Sequence, residues 1–165
     1  MSKKNFPHYW INKFSLLRHP EGGWFREVYR SDELISRQCL PERYSGDRNH
    51  STSIYFLITR EEFSAFHKLR SDEIWHFYYG SPLIIHTINN SGDYRQFTLA
   101  LDEFQFTIKR DLWFAAEVAD KDSFSLTGCT VSPGFHFDDF ILARKEELIS
   151  NFPQHKELIK RLTRD

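Results

Sequence analysis

Phe63-Ser64-Ala65-Phe66-His67-Lys68-Leu69-Arg70-Ser71-Asp72-Glu73-Ile74-Trp75-His76-Phe77-Tyr78-Tyr79-Gly80 sets two β-forming runs on either side of a short polar turn. Aromatic and branched residues suit a half-buried pleated surface, and the polar break at Arg70-Ser71-Asp72 reverses the chain. The turn brings two His and two carboxylates together. Side chains alternate along a strand, so Glu73, Trp75, Phe77 and Tyr79 are expected on one face and Ile74, His76 and Tyr78 on the other. A proposal that uses both Glu73 and His76 therefore needs a bulge.

Outward from this hairpin the same pattern repeats. Strands are expected over Trp24–Arg30, Ser53–Ile58, Phe63–Leu69, Glu73–Tyr79, Leu83–Ile88, Tyr94–Leu99, Phe104–Ile108, Leu112–Val118, Phe124–Val131 and Phe137–Leu142. Gly80-Ser81-Pro82, Asn89-Asn90-Ser91-Gly92-Asp93 and Ser132-Pro133-Gly134 mark turns between them. Many short strands at regular spacing predict an all-β sandwich or barrel. Trp10, Ile11, Phe14 and Leu17 share a helical face over about residues 6–17, stopped by Pro20 and the Gly22-Gly23 pair. After a barrel over about 23–142, two helices are expected within 144–163, Pro153 suiting the first turn of the second. Residues 31–51 are polar and irregular, long for a loop in a compact domain. A functional lid, an interface arm and a plain mobile excursion are all open for them.

The 165 residues suit one domain, 1–165. Hydrophobic residues at 40% and charged residues at 27% are ordinary; sixteen Phe with seven Tyr and four Trp are not. Large rings fill a barrel core and also line pockets for organic ligands. With 22 basic and 23 acidic side chains the net charge is −1, which offers no field to gather polyanions and excludes general nucleic-acid binding. The C-terminal Lys156, Lys160, Arg161 and Arg164 are expected on a solvated helix face. Cys39 and Cys129 lack redox or metal spacing, and Cys129 sits in an apolar run, the place of a small buried hydrophobe. No long apolar segment follows the N-terminus, so the expectation is a cytoplasmic protein with no signal peptide and no membrane span.

With these residues in view, the chain resembles the cupin superfamily. The signature His-x-His, three or four residues, Glu, six residues, Gly is met by His67, Glu73 and Gly80, with Leu69 at the second His. The second motif falls on Lys109-Arg110-Asp111-Leu112-Trp113-Phe114, without its Pro, Gly or His. A closer resemblance is to the small cupins called domain of unknown function 985. It is carried by His19-Pro20-Glu21-Gly22-Gly23-Trp24, Ser53-Ile54-Tyr55-Phe56-Leu57, Phe66-His67 through Gly80, Trp113 with Ala115-Ala116-Glu117, and Gly128 through Phe135. The chain departs from that family at Phe114, commonly Gln, and at His136, commonly acidic. The resemblance implies a double-stranded β-helix, or jelly-roll barrel, commonly a homodimer. It implies no settled reaction.

The usual cupin metal site takes three His and one Glu, suited to a divalent metal. Only His67 and Glu73 remain here, and a catalytic metal normally needs three protein ligands. No metal cofactor is therefore expected, unless His76, His86 or His136 completes a non-standard set. Metal-free proton transfer is the second reading, as in the deoxysugar-nucleotide epimerases that resemble this family. An imidazole titrates near working pH and suits proton removal beside a carbonyl. His67 would be the base, Asp72 or Glu73 its orienting partner, and Tyr55, Tyr78 or Tyr79 the acid. The substrate would be a small polar carbonyl compound resembling a sugar. Glu21, Trp75, His76, Phe77, Trp113 and His136 are the candidate ligand contacts. A buried structural His67–Glu73 pair in a non-catalytic binding module, and a metal-dependent cupin with altered ligands, are the alternatives. His19 reads as a turn builder. No Gly-x-Ser-x-Gly elbow, dinucleotide fingerprint or phosphate-binding loop is present.

Overall fold

The computed structural model describes residues 6–120 and 122–164. A short helix, α1 (Pro7–Phe14), precedes thirteen strands. These are β1 (Leu17–Arg18), β2 (Trp24–Arg30), β3 (Leu34–Ile35), β4 (Arg48–Asn49), β5 (Thr52–Thr59), β6 (Phe63–Leu69) and β7 (Asp72–Gly80). There follow β8 (Leu83–Ile88), β9 (Tyr94–Leu99), β10 (Gln105–Ile108), β11 (Trp113–Val118), β12 (Phe124–Ser132) and β13 (Phe140–Leu142), then helices α2 (Lys145–Asn151) and α3 (Lys156–Arg161). Two antiparallel sheets face each other, ordered β1-β2-β5-β12-β7-β10 and β13-β6-β11-β8-β9. The arrangement is the expected jelly-roll barrel.

Each sheet buries its inner face in the barrel and its outer face under a helix. Phe56, Ile58, Trp75, Phe77, Leu83, Ile85, Leu99, Ile108, Phe114 and Val118 fill much of the interior. On the first sheet, Ile11 and Leu16 cover Leu57, Phe124 and Leu126, with Trp10, Phe14, Tyr55 and Tyr79 packed alongside. On the second, Leu148, Phe152, Ile159 and Leu162 cover Phe66, Ile88 and Ala115. Burial of these apolar faces is the main drive for the two-layer form, at roughly 25 cal/mol per Å².

Four expectations need correction. The N-terminal helix ends at Phe14, and Leu17, expected on its apolar face, lies in β1 and is exposed. Residues 137–142 are not one strand: Phe137–Asp139 form a 3-10 turn, and only Phe140–Leu142 pair with β6. Pro153 opens a 3-10 turn, Pro153–His155, ahead of α3 rather than the helix itself. The C-terminal cations do not simply form a solvated face. Arg161 pairs with Glu117 of β11, and Arg164 donates to the carbonyls of Glu21 and Phe63.

Residues 31–51 form a fixed strap. Their β3–β4 hairpin is tied down by Arg48, whose Nε and Nη2 reach Asp139 Oδ2 and Oδ1 at 2.6 and 2.8 Å. Both side chains are buried, and a paired buried charge resists separation. Tyr44, 1% exposed, bonds Ser71 Oγ at 2.9 Å. The strap thus holds residues 136–140 against the open end of the barrel.

Candidate functional site

The site begins with a turn that only glycine tolerates. His19-Pro20-Glu21-Gly22-Gly23 runs from β1 into β2, with φ of +111° at Gly22 and +72° at Gly23. A Cβ at Gly22 would collide with the Phe63 carbonyl and with Arg164. This close approach lets the Glu21 carbonyl accept from Ala65 N at 2.9 Å, so the turn is stitched to β6 beside His67. Glu21 then points inward. Its Oε1 accepts from Ser64 Oγ at 2.8 Å, and its Oε2 lies 3.3 Å from His67 Nε2 and 3.4 Å from His19 Nδ1.

The proton on each ring follows from its partner. His67 Nδ1 sits 2.7 Å from the Ala65 carbonyl, which can only accept, so Nδ1 carries hydrogen. In the neutral ring Nε2 is then a bare lone pair facing Glu21 and the cavity. His19 is the reverse. Its Nδ1 accepts the Glu21 backbone N–H at 3.4 Å, which leaves the hydrogen of the neutral ring on Nε2.

Glu73 reaches the same floor from β7, with Oε2 accepting from Trp75 Nε1 at 2.8 Å. Burial, then the nearby Glu21 charge, pushes its carboxyl up to about 7, against the opposing pull of His67, Trp75 and the Cys129 thiol. Burial also raises Glu21, opposed by His19, Ser64 and Arg164. Burial lowers His67, against Glu73 and the Ala65 carbonyl that favour its charged form; it lowers His19 too, against Glu21. Both members of the Glu21–His67 pair are thus biased toward the uncharged state, a protonated carboxyl facing an imidazole lone pair. Burial holds the Cys129 thiol well above its ordinary value, so it acts as a neutral contact of Glu73 and not as a nucleophile.

Above this floor lies a cavity of about 310 Å³. Its walls are apolar, contributed by Phe25, Ile54, Phe56, Leu69, Val131, Phe135, Phe137 and Phe140. Glu27, Arg30 and His136 stand at the rim, with side chains 38%, 36% and 51% exposed. Arg30 binds Glu27 through both nitrogens of a fork, at 2.9 and 2.7 Å, and also Asn49 Oδ1 and the Phe135 carbonyl.

Of the sequence candidates, His67, Glu73, Glu21 and His136 line this cavity. Trp75 and Phe77 lie in the core, Trp75 as the donor that steadies Glu73. The rest are elsewhere. Asp72 faces outward, bonded to Lys109 Nζ and to Arg110 N, both at 2.9 Å. Tyr55 follows strand alternation to the outer face, where it stacks on Phe14 at 4.3 Å. Tyr79 was expected beside Glu73, but β7 is irregular: Leu126 pairs with Tyr79 and Thr127 with Phe77, leaving Tyr78 as the extra residue of a bulge. The parity flips there, and Tyr79 packs outside against Trp10 and Phe124. Tyr78 is likewise outside, against Tyr55 and over a ring-parallel His76. His76 bonds Thr130 Oγ1 at 3.2 Å on that outer face. Trp113 lies under Lys68 in a separate groove beside α2. Sequence reasoning missed His19 as a floor group and Cys129 as a partner of Glu73. The spacing of His19 and Glu21 around Pro20 was the available signal, read instead as turn chemistry.

The ligand set that the family resemblance implies is incomplete here. His67 Nε2 faces Glu21, Glu73 is tied to Trp75 and Cys129, and the two remaining ligand positions implied by the family hold Leu69 and Phe114. The Phe114 ring packs on His67 at a centroid distance of 4.0 Å. Among the described residues no three His, Cys, Asp or Glu side chains are grouped so as to hold a metal ion. Among the described residues, too, no helix is long and apolar enough to cross a membrane.

Known proteins share this architecture. Protein SO0799 from Shewanella oneidensis superposes with a TM-score of 0.87 at 37% identity, over 96% of this chain and 97% of its own. A hypothetical protein from Leishmania major gives a TM-score of 0.87 at 31% identity, over 98% and 100%. The uncharacterized protein YML079W of Saccharomyces cerevisiae is 26% identical over a 151-residue alignment that covers 83% of this chain and 75% of that one. The family model described as Cupin superfamily (DUF985) matches residues 8–143, the span that holds the barrel and every floor residue, and the chain therefore belongs to that family of cupins.

Proposed function

We propose that this cupin binds a small organic carbonyl compound in its barrel and moves a proton on it without a metal, as an isomerase or epimerase does. The single observation that carries the reading is the Glu21–His67 pair: a ring held by its Nδ1 hydrogen bond offers Nε2 to a buried carboxyl 3.3 Å away, at the floor of a cavity. An imidazole held with a free lone pair and an acid beside it are what removal of a proton next to a carbonyl requires.

The step balances as follows. His67 Nε2 takes hydrogen from the carbon beside the carbonyl, breaking C–H and forming N–H. The electron pair moves into a carbon–carbon double bond, and a proton from Glu21 or Glu73 passes to the carbonyl oxygen to give the enol. The enol O–H then gives its proton back to the carboxylate while His67 Nε2–H returns a proton to the same carbon, on its original or its opposite face, which reforms the carbonyl and restores the neutral pair. Apolar walls exclude water and strengthen each of these interactions.

The test is exchange of the carbon-bound hydrogen of a bound ketone with heavy water, followed by proton NMR. His67-dependent exchange is expected, lost in His67→Gln and reduced in Glu21→Gln. A ketone that binds in the cavity with no exchange in the native protein would leave a binding module and sink the catalytic reading.

A further inference from the structure

The cavity is polar at its floor and at its rim, with apolar walls between them. Glu21, His67, Glu73 and Cys129 at the floor are each at most 7% exposed. Between them and the rim stand five phenylalanines, Phe25, Phe56, Phe135, Phe137 and Phe140, with Ile54, Leu69 and Val131. The wall hydroxyl of Thr52 accepts from Phe135 N at 2.9 Å, which leaves its own hydrogen as one donor along an otherwise apolar wall. A ligand with hydroxyls along its length would leave them unpaired against these rings, and an unpaired buried polar group costs about 1–3 kcal/mol.

The rim does not call for an anion either. All the Arg30 nitrogens are taken by Glu27, Asn49 and the Phe135 carbonyl, so this guanidinium at the mouth is internally neutralised. His136 Nδ1 accepts from Asp138 N at 3.2 Å, and Asp138 lies beside the ring. A carboxylate or phosphate driven to the floor would lose its hydration between apolar walls and meet no Lys or Arg among the described residues that form the floor. The floor instead offers Nε2–H of His19 and, on a protonated carboxyl, an O–H, both donors that suit an uncharged oxygen.

We propose that the ligand is a neutral compound with an apolar body and one carbonyl end, seated carbonyl-first between the phenylalanine walls, and not a sugar or an anion. The carbonyl end rests on the proton-transfer reading above; the apolar body and absence of charge rest on the walls and rim alone.

Three probes separate these classes: phenylacetone (neutral, aromatic), phenylpyruvate (the same body with a carboxylate) and dihydroxyacetone (a neutral sugar ketone). Calorimetry and ligand-observed NMR on the full chain should give phenylacetone an affinity at least about tenfold above both others. Phe140→Ala, a change at the half-buried rim strand, should weaken it by about fivefold. Equal or tighter binding of phenylpyruvate or dihydroxyacetone, or no binding of phenylacetone, overturns the proposal. Exchange in heavy water keeps the two claims apart. Phenylacetone bound without exchange supports the ligand class while contradicting proton transfer. Dihydroxyacetone exchanged by His67, with phenylacetone ignored, does the opposite.

Discussion

Two of the buried His–Glu pairs among the described residues, His86–Glu117 and His67–Glu21, are built for different ends. On the outer face of the second sheet, His86 Nε2 lies 3.1 Å from Glu117 Oε1 and its Nδ1 lies 2.9 Å from Tyr94 OH. Arg161 of α3 closes on Glu117. Inside the barrel, His67 has one nitrogen bound to a backbone carbonyl and the other facing Glu21. The residue types and the degree of burial are alike, with His67 2% and His86 3% exposed. What differs is the surroundings. The outer pair has a cation on its carboxylate and a helix over it, so it acts as a clamp for the C-terminus. The inner pair has a cavity beside it and a second carboxyl, Glu73, and its nearby cation, Arg164, bonds the Glu21 backbone carbonyl instead of the carboxyl. A His–Glu contact becomes a site for chemistry only where space and an unsettled proton accompany it.

The sharpest way to break this contrast is to remove each ring. His67→Gln should lower heavy-water exchange of a bound ketone by at least about a hundredfold, the usual scale of a lost general base. His86→Gln should leave exchange within about twofold and act on stability instead, by about 1–3 kcal/mol, because it strands a buried partner. Comparable loss of exchange in both variants would erase the distinction.

Next in size is the pH dependence of stability. A folded-state carboxyl at about 7 keeps a proton that the unfolded chain has lost above its ordinary 4.5. Its contribution is therefore full below pH 4.5 and is lost as pH rises toward 7 and beyond. Glu73→Gln removes that loss. Relative to the native protein it should gain stability as pH rises from about 5 to 8, by up to about 3 kcal/mol. Denaturant melts across that range check this, and a constant difference would show that Glu73 is not held protonated. For the outer pair, Arg161→Ala should cost about 1–2 kcal/mol in the same melts and leave ligand affinity unchanged. The smallest effect belongs to Arg164, which holds the Glu21 and Phe63 carbonyls at 3.1 and 2.9 Å. Arg164→Ala should cost under about 1 kcal/mol. It should also shift the pH profile of exchange, because the Glu21 turn loosens and a nearby cation is gone.

The barrel was legible because alternation and turn residues act locally. The strand of residues 63–69 appears at those bounds, and Glu73, Trp75 and Phe77 all face inward. The site was legible only in part. His67 and Glu73 flank one turn, so sequence proximity reveals them. Glu21 and His19 arrive from a distant segment through a single backbone bond to Ala65, which no local pattern encodes. Tyr79 was misplaced because a bulge at Tyr78 adds one residue, and one residue reverses a strand's faces. Tyr55 was named for its chemistry, although its neighbours Ile54 and Phe56 take the cavity side. Cys129 was correctly placed in an apolar run, but its contact with Glu73 depends on the pairing of β12 with β7.

The central claim is that the floor pair is uncharged, with the imidazole lone pair poised beside a protonated carboxyl. Nitrogen NMR of the His67 ring, assigned by loss of its signals in His67→Gln, reads this directly. At pH 6.5, where an unperturbed imidazole is half protonated, His67 should be predominantly neutral, with hydrogen on Nδ1 and none on Nε2. A doubly protonated imidazolium at that pH would contradict it.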